Sequence, residues 1–215
     1  QRYSEAEHML KESYEIYRKL SKENSQVYEH DVAIALYNLA FLYVDESRYS
    51  EAEQMLKESL EIFRKYSEIN PQVCKPYVAR ILNSLAGVYC DNQRYSESEQ
   101  MCIESLRISR ELAMYNPQVY ESDVAMALNN MASLYKNIQR YSDAEQMYEE
   151  SLEIYRKLSK DNPQVYESDV ARTLNNMAIL YADTQRYSEA EQMYEESLEI
   201  YRKLSKDNPQ VYESD

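Results

Sequence analysis

The side chains that could carry out covalent chemistry are few in this sequence. His8 and His30, the two histidines, are too isolated to suggest a metal site. Adjacent acids such as Glu149 and Glu150 fall on a predicted outward helix face, whereas paired catalytic carboxylates need a cleft that shifts their pKa. The sequence shows no Ser-His-Asp or Cys-His constellation, no glycine-rich phosphate loop and no nucleotide fingerprint. We therefore expect neither an enzyme nor a metal or cofactor.

Side chains suited to binding a partner are more numerous than those suited to covalent chemistry. They are amides, arginines and aromatic rings, and they lie on one face of a predicted helix that recurs along the chain. This face lies opposite the apolar stripe of the helix, and its residues differ between copies while the stripes barely change. Divergence on one face is typical of a groove that is specific for a partner. The candidate partner-binding residues are Ile34, Tyr37, Asn38, Phe41, Arg80, Asn83, Met126, Asn129, Asn130, Arg172, Asn175 and Asn176.

These residues belong to a sequence repeat. A tetrad of the form (S/Q)-R-Y-S recurs every 46 residues, and residues 139–169 and 185–215 differ only at Asp143 against Glu189. The spacing predicts a single repeat array with units 1–46, 47–92, 93–138, 139–184 and 185–215. A unit of this kind cannot bury its apolar face alone, so neighbouring units must stack. Since the chain begins without Met in the middle of a unit, we expect it to be part of a longer protein.

Two amphipathic helices are predicted in each unit. In the fourth unit, Tyr166, Val170, Leu174, Met177 and Tyr181 follow helical spacing and form one face of a first helix. Applied to every copy, the pattern predicts nine helices near residues 4–21, 27–46, 50–67, 73–92, 96–113, 119–138, 142–159, 165–184 and 188–205. Short connections make successive helices antiparallel neighbours. The fold class is all-α.

Two signals mark the predicted helix starts. Ser188 followed by Glu191 is a capping box, which recurs as Ser4/Glu7, Ser50/Glu53, Ser96/Glu99 and Ser142/Glu145. An Asn-Pro pair precedes most first helices, where proline is tolerated as the first helical residue. We expect each second helix to begin with its serine as the cap.

Charge and composition exclude several classes of partner. The formal net charge is −14, and no basic run is present, which argues against nucleic acid. No apolar run approaches 18 residues and no secretory leader is seen, so we expect no membrane span or export. Cys74, Cys90 and Cys102 are odd in number and occupy apolar repeat positions, which favours a reducing, cytoplasmic location.

The repeat resembles the tetratricopeptide repeat family, in the long form found in kinesin light chain. The first helix carries the family's pattern at Leu174, Met177, Ala178 and Tyr181, and the second at Tyr187, Ala190, Tyr194 and Ser197. The resemblance covers essentially the whole chain and implies a right-handed superhelical solenoid of antiparallel helix pairs. The sequence departs from the family at the turn between helices, where the usual glycine is replaced by Ser47, Gln93, Gln139 and Gln185.

The resemblance also implies roles for several candidate residues. Asn38, Asn130 and Asn176 match an asparagine that often holds the backbone of an extended peptide, because an amide can both donate and accept hydrogen bonds. The alternative is a helix-to-helix hydrogen bond or a solvated amide. A basic residue one turn before this asparagine would pair with a ligand carboxylate. Arg80 and Arg172 occupy that position, whereas Ile34 and Met126 occupy it in the other copies. A carboxylate-binding site would therefore be incomplete.

Three functions remain open from the sequence. The first is a scaffold that binds a peptide or helix of a partner protein in the concave groove, with Ile34, Tyr37, Phe41 and Met126 as apolar anchors. The structural alternative is that these residues pack beneath a preceding N-terminal unit. The second is a sensor or regulatory segment of a larger multidomain signalling enzyme. The third is end-to-end self-association through the apolar faces of the helices at 4–21 and 188–205.

Overall fold

The computed structural model describes the backbone of residues 2–207 and the side chains of residues 5–206. Over this range the chain forms α1 (Arg2–Glu23), α2 (Ser25–Asp45), α3 (Tyr49–Ser67), α4 (Pro71–Asp91), α5 (Tyr95–Tyr115), α6 (Pro117–Asn137), α7 (Tyr141–Asp161), α8 (Pro163–Asp183) and α9 (Tyr187–Asp207). The all-α class and the nine helices are confirmed for the described residues. Each predicted helix end lies within two residues of the observed one. The even-numbered helices are the first helices of the repeat, and the odd-numbered helices are the second helices.

The chain divides into two compact units, Gln1–Ile108 and Ser109–Asp215, with the boundary inside α5. In the first unit α2 packs between α1 and α3, and α3 also packs on α4. In the second unit α7 packs between α6 and α8, α8 also packs on α9, and α6 touches α8. Each unit is therefore held by helices that are neighbours in sequence, as the repeat predicts.

A buried serine fastens each second helix to the first helix before it. Serine hydroxyls donate to alanine carbonyls at 2.7 to 2.8 Å in the pairs Ser59–Ala33, Ser105–Ala79, Ser151–Ala125 and Ser197–Ala171. A helical carbonyl has a second lone pair that can accept such a bond. Each bond stabilises the fold by about 0.5–1.5 kcal/mol and requires the two helices to approach closely.

An arginine clamp joins successive repeats. The guanidinium groups of Arg48, Arg94, Arg140 and Arg186 lie 4.0 to 4.2 Å from the ring centroids of Tyr43, Tyr89, Tyr135 and Tyr181. In the first clamp, Arg48 donates through Nε to Glu51 at 2.8 Å and through Nη1 to Glu7 of α1 at 2.9 Å. The corresponding Nη1 bonds join Arg94 to Glu53 and Arg186 to Glu145. Each of these three arginines thus connects three helices.

The predicted capping boxes are wrong for α3 and α7. These helices begin at Tyr49 and Tyr141, one residue earlier than predicted, with Arg48 and Arg140 as N-caps and no side-chain capping bond. Glu53 and Glu145, the acids of the two predicted boxes, instead accept bonds from the arginine of the following repeat. A bond between two charged groups is about twice as strong as a neutral one, which explains why these carboxylates turn outward to the next repeat.

The turn from each first helix to the next second helix places a non-glycine residue in the left-handed region. Ser47, Gln93, Gln139 and Gln185 have φ between 58° and 62°. In the first turn the N–H of Arg48 donates to the carbonyl of Tyr43 at 2.7 Å and the N–H of Ser47 donates to that of Val44 at 2.9 Å. This is the Schellman pattern, which usually has glycine at this position. The backbone therefore keeps the glycine conformation although the sequence has replaced the residue.

We expect Gln139→Gly to stabilise the protein, because it removes the side-chain clash of the left-handed conformation. That clash costs about 1–2 kcal/mol, and the added chain entropy of glycine offsets about 0.5–1 kcal/mol of the gain. Urea unfolding should therefore show an increase of up to about 1.5 kcal/mol in the free energy of unfolding. The matched control is Gln139→Ala, which keeps the Cβ atom and should bring no gain. If both variants change the free energy of unfolding equally, the left-handed conformation of Gln139 is not strained.

The arginine clamp also predicts a dependence of stability on acid pH. Hydrogen bonds from Lys11, and then from Arg48, lower the pKa of Glu7 from 4.5 to about 2, and a bond from Arg48 lowers the pKa of Glu51. Because these folded-state pKa values are depressed, the stabilisation is complete above pH 4.5 and is lost as the pH falls toward about 2.

Replacing Arg48 should weaken this acid dependence. In Arg48→Met the melting temperature should fall less steeply below pH 4.5, and the NMR-titrated pKa of Glu51 should return toward its ordinary value. Arg64→Met is the control, because Arg64 pairs with Glu104 on an exposed surface. An unchanged pH profile in Arg48→Met would show that the arginine clamp does not cause the loss of stability at acid pH.

Candidate functional site

The candidate residues of α2 present an aromatic pair. Ile34 and Tyr37 are half-buried, Asn38 is exposed, and Phe41 is 48% exposed. The rings of Tyr37 and Phe41 meet edge to face, with centroids 4.8 Å apart and planes at 78°. The two residues are one helical turn apart, so their side chains share one face. The first unit therefore carries an exposed, ordered aromatic surface with an amide beside it.

The candidate residues of α4 are less accessible. Asn83 is buried at 5% exposure, and Arg80 is half-buried. Ser84, which stands where other copies have asparagine, donates its hydroxyl to the carbonyl of Arg80 at 3.1 Å. In α4 the side chain that a ligand could reach is Arg80, and the amide of Asn83 belongs to the interior.

Three side chains of the second unit form a chain of hydrogen bonds between α6 and α8. The Nδ2 group of Asn129 donates to Oγ1 of Thr173 at 2.8 Å, and Nδ2 of Asn176 donates to Oδ1 of Asn129 at 2.9 Å. Asn129 and Thr173 are buried. Asn176 therefore makes, with Asn129, the helix-to-helix bond that was the alternative to peptide binding.

Thr173 was not predicted from the sequence. It occupies a repeat position held by Ala35, Ile81 and Ala127 in the other copies, so a polar residue among apolar ones was an available signal. Its hydroxyl donates to the carbonyl of Asp169 at 2.8 Å, which leaves it to accept from Asn129. The threonine thus satisfies an amide that would otherwise be costly to bury.

The remaining candidates of the second unit differ in exposure, and one of them already forms an ion pair. Met126, Asn130 and Asn175 are half-buried, and Arg172 is exposed. Arg172 donates to Asp169 of its own helix at 2.5 Å. A ligand carboxylate at Arg172 would therefore compete with Asp169.

Other kinds of site find little support among the described residues. No group of three His, Cys, Asp or Glu side chains there is placed to hold a metal ion. His30 packs edge-on against Phe63 and Tyr77, with ring centroids 5.2 and 5.6 Å away. None of the helices within residues 2–207 has the length and apolar composition required to cross a membrane.

Comparisons with known proteins agree with this architecture. The family model described as tetratricopeptide repeat matches residues 1–65, 77–157 and 123–203. Among curated proteins, none gives a significant match.

Several solved structures share the fold. BtubC (BKLC) from P. vanneervenii is 22% identical with a TM-score of 0.70, over 95% of this chain and 75% of that one. The apo form of RapI is 24% identical with a TM-score of 0.69, over 92% and 66%. A putative kinesin light chain from Podosopora anserina with nearly identical TPR-like repeats is 16% identical with a TM-score of 0.60, over 96% and 92%. These likenesses show the fold and nothing finer.

The amide chain of the second unit yields a stability prediction. Asn129→Ala should cost about 1–3 kcal/mol, because it leaves the buried hydroxyl of Thr173 without its donor. Asn176→Ala should cost less, since Asn176 is half-buried and water can replace its bond. Urea unfolding of both variants measures the difference. Equal stability of the wild type and Asn129→Ala would show that this amide does not support the fold.

Proposed function

Because the chain belongs to the tetratricopeptide repeat family, we propose that it is a protein-interaction scaffold that binds a peptide or helix of a partner protein along the candidate faces of its first helices. The observation that carries the proposal is the exposed pair of Tyr37 and Phe41 on α2. The action proposed is recognition without covalent chemistry.

The aromatic pair has the properties of an anchor for an apolar ligand side chain. Phe41 keeps about half of its surface exposed, and Tyr37 supports its ring from the side. An ordered ring loses little conformational entropy when a ligand covers it, so most of the gain from burial remains available for binding. Aromatic residues in such positions commonly dominate binding energy.

Polar groups near the anchor favour an extended peptide or a helix end. Asn38 is exposed beside Tyr37, and its amide can pair with both the N–H and the carbonyl of a peptide backbone. Arg80 offers positive charge on α4 of the same unit. In the second unit, taken by itself, Arg172 offers positive charge on α8. The fully buried Asn83 and Asn129 are proposed as supports of the fold and not as contacts.

The charge and the cysteines bear on the type of partner and on location. A formal net charge of −14 favours a neutral or basic protein segment and disfavours nucleic acid. Cys74, Cys90 and Cys102 are all free thiols, two of them buried. This supports the proposal of a reducing compartment such as the cytoplasm.

End-to-end self-association is a second proposal. It is supported by apolar side chains exposed on both outer helices: Met9 (70%) and Ile16 (49%) on α1, and Tyr194 (41%) and Leu198 (47%) on α9. Exposed apolar groups that lie together on one helix mark an interaction surface.

Binding should depend on the aromatic pair. We expect Phe41→Ser, and Phe41→Ser combined with Tyr37→Ser, to reduce affinity at least tenfold for peptides selected on the wild-type chain from a random display library. The reason is the lost burial of an aromatic anchor. Isothermal titration measures the affinity, and circular dichroism checks that the helices persist.

Ile103→Ser is the matched control, because Ile103 is an equally exposed apolar residue, at 52%, on the second helix α5. It should leave binding unchanged. If Phe41→Ser binds the selected peptides as well as the wild type does, the aromatic pair is not the site.

A further inference from the structure

The last helical residues of α2 and α4 are acids without a basic partner. Asp45 and Asp91 hold the same repeat position and are exposed, and neither forms a hydrogen bond or ion pair with the described residues. The last turn of each helix also contains no basic residue. A helix C-terminus carries a partial negative charge, which favours a nearby cation and disfavours an acid. Each of these two helix ends therefore carries a negative charge that the protein does not compensate.

Other acids of the first unit are compensated. Glu7 binds Arg48 at 2.9 Å. Glu53 binds Arg94 at 2.7 Å. Although Asp91 is exposed as a residue, burial of its carboxyl group raises its pKa, and no cation acts in the opposite direction. A partly desolvated acid of this kind is stabilised in its charged form when a cation approaches.

Phe41 and Gly87 lie one helical turn before the two acids. Phe41 precedes Asp45 by one turn of α2, and the two residues share a helix face. Gly87 stands in the same relation to Asp91 on α4. A Cβ atom added at Gly87 would meet no atom within 4 Å. The surface of α4 is therefore open at the repeat position where α2 carries a phenylalanine.

Helices α2 and α4 lie side by side in the first unit. Both pack on α3, and the ring of His30 on α2 lies 5.6 Å, between centroids, from the ring of Tyr77 on α4. Because the two helices are copies of one repeat, matching positions lie at similar heights along them. Phe41 on α2 and Gly87 on α4 are such a pair.

The aromatic pair of α2 is turned toward α4. In the second unit, Asn129 of α6 points to α8, where it donates to Thr173. Tyr37 holds the same repeat position as Asn129, and the ring of Phe41 packs against Tyr37. The open surface at Gly87 is therefore beside the aromatic pair, between two helices of the first unit.

We propose that Phe41, Asp45, Gly87 and Asp91 form a docking face for a protein segment in which a large apolar side chain stands next to lysine or arginine. The apolar side chain covers Phe41 and lies over Gly87, and the cation lies between Asp45 and Asp91. This inference rests on the proposed function, because it names the kind of segment that the scaffold binds.

Charge complementarity selects this occupant. A cation at the docking face meets two carboxylates and two negative helix ends, whereas an acidic segment would be repelled. Arg80, the basic candidate of α4, precedes Asp91 by three turns, which is about 16 Å along the helix. It is therefore too far away to neutralise the acids. The formal net charge of −14 adds a general attraction for basic segments.

The test uses the tripeptide acetyl-Lys-Phe-Lys-amide as a probe of the 215-residue chain. Gly87 is the only glycine in the sequence, so its amide signal is easily identified in a two-dimensional NMR spectrum. We expect a saturable shift of this signal at millimolar probe. The acidic control acetyl-Glu-Phe-Glu-amide should cause no shift. The control acetyl-Lys-Ala-Lys-amide should bind at least tenfold more weakly, because it lacks the ring that covers Phe41.

Variants separate the two parts of the docking face. Asp45→Asn combined with Asp91→Asn should weaken binding of the basic probe at least tenfold and should make binding less sensitive to salt. Asp161→Asn is the matched control, because Asp161 is also an exposed acid at the end of a helix, but on the second helix α7. Gly87→Leu should weaken binding at least tenfold, since its side chain fills the open surface. Leucine favours a helix more than glycine does, so this loss would not come from unfolding.

Three results would each overturn the inference. They are no shift of the Gly87 signal with the basic probe, equal binding of the basic and acidic probes, and equal binding of the basic probe to the wild type and to the double asparagine variant. Failure of the scaffold proposal is seen separately, as unchanged affinity of the library-selected peptides for Phe41→Ser. That measurement involves neither the charged probes nor the acid variants.

Discussion

The structure depends on a constraint that one repeat cannot meet alone: each second helix has two apolar faces, and its own first helix covers only one of them. Helices α7 and α9 show this directly. Tyr148 of α7 is 1% exposed, whereas Tyr194, at the same repeat position of α9, is 41% exposed. Covering the second face requires the next repeat. Stability is therefore shared between neighbours and does not belong to any single helix pair.

Apolar burial does not by itself fix how neighbouring helices are aligned. Directional contacts do this near the start and in the middle of the second helices. Near the start, the clamp arginine lies on a tyrosine ring and binds acids of two helices, as Arg48 does with Glu51 and Glu7. In the middle, a buried serine such as Ser151 reaches a backbone carbonyl of the preceding helix. Because both contacts require close geometry, a helix displaced by one turn would lose both.

The sequence predicted the helices well because apolar spacing alone determines them, and that spacing recurs in every copy. It was less informative where a side chain had two possible partners. Glu53 and Glu145 had the spacing of a capping box, yet each binds the arginine of the next repeat. Local spacing does not show a partner 41 residues away in sequence. The usual turn glycine was also not needed, since Gln139 adopts the same left-handed conformation.

The candidate surface illustrates the same limit from a functional side. Sequence divergence drew attention to one helix face and proposed several of its asparagines as partner contacts. The structure separates them, because Asn129 is buried against Thr173 while Asn38 remains exposed beside Tyr37. The distinction follows the position on the helix, because Asn83 holds the same repeat position as Asn129 and is also buried, whereas Asn38 stands one position further along. A buried amide needs a partner, and Thr173 supplies one for Asn129. In this repeat, the position of an asparagine on the first helix therefore separates amides that support the fold from amides that remain exposed.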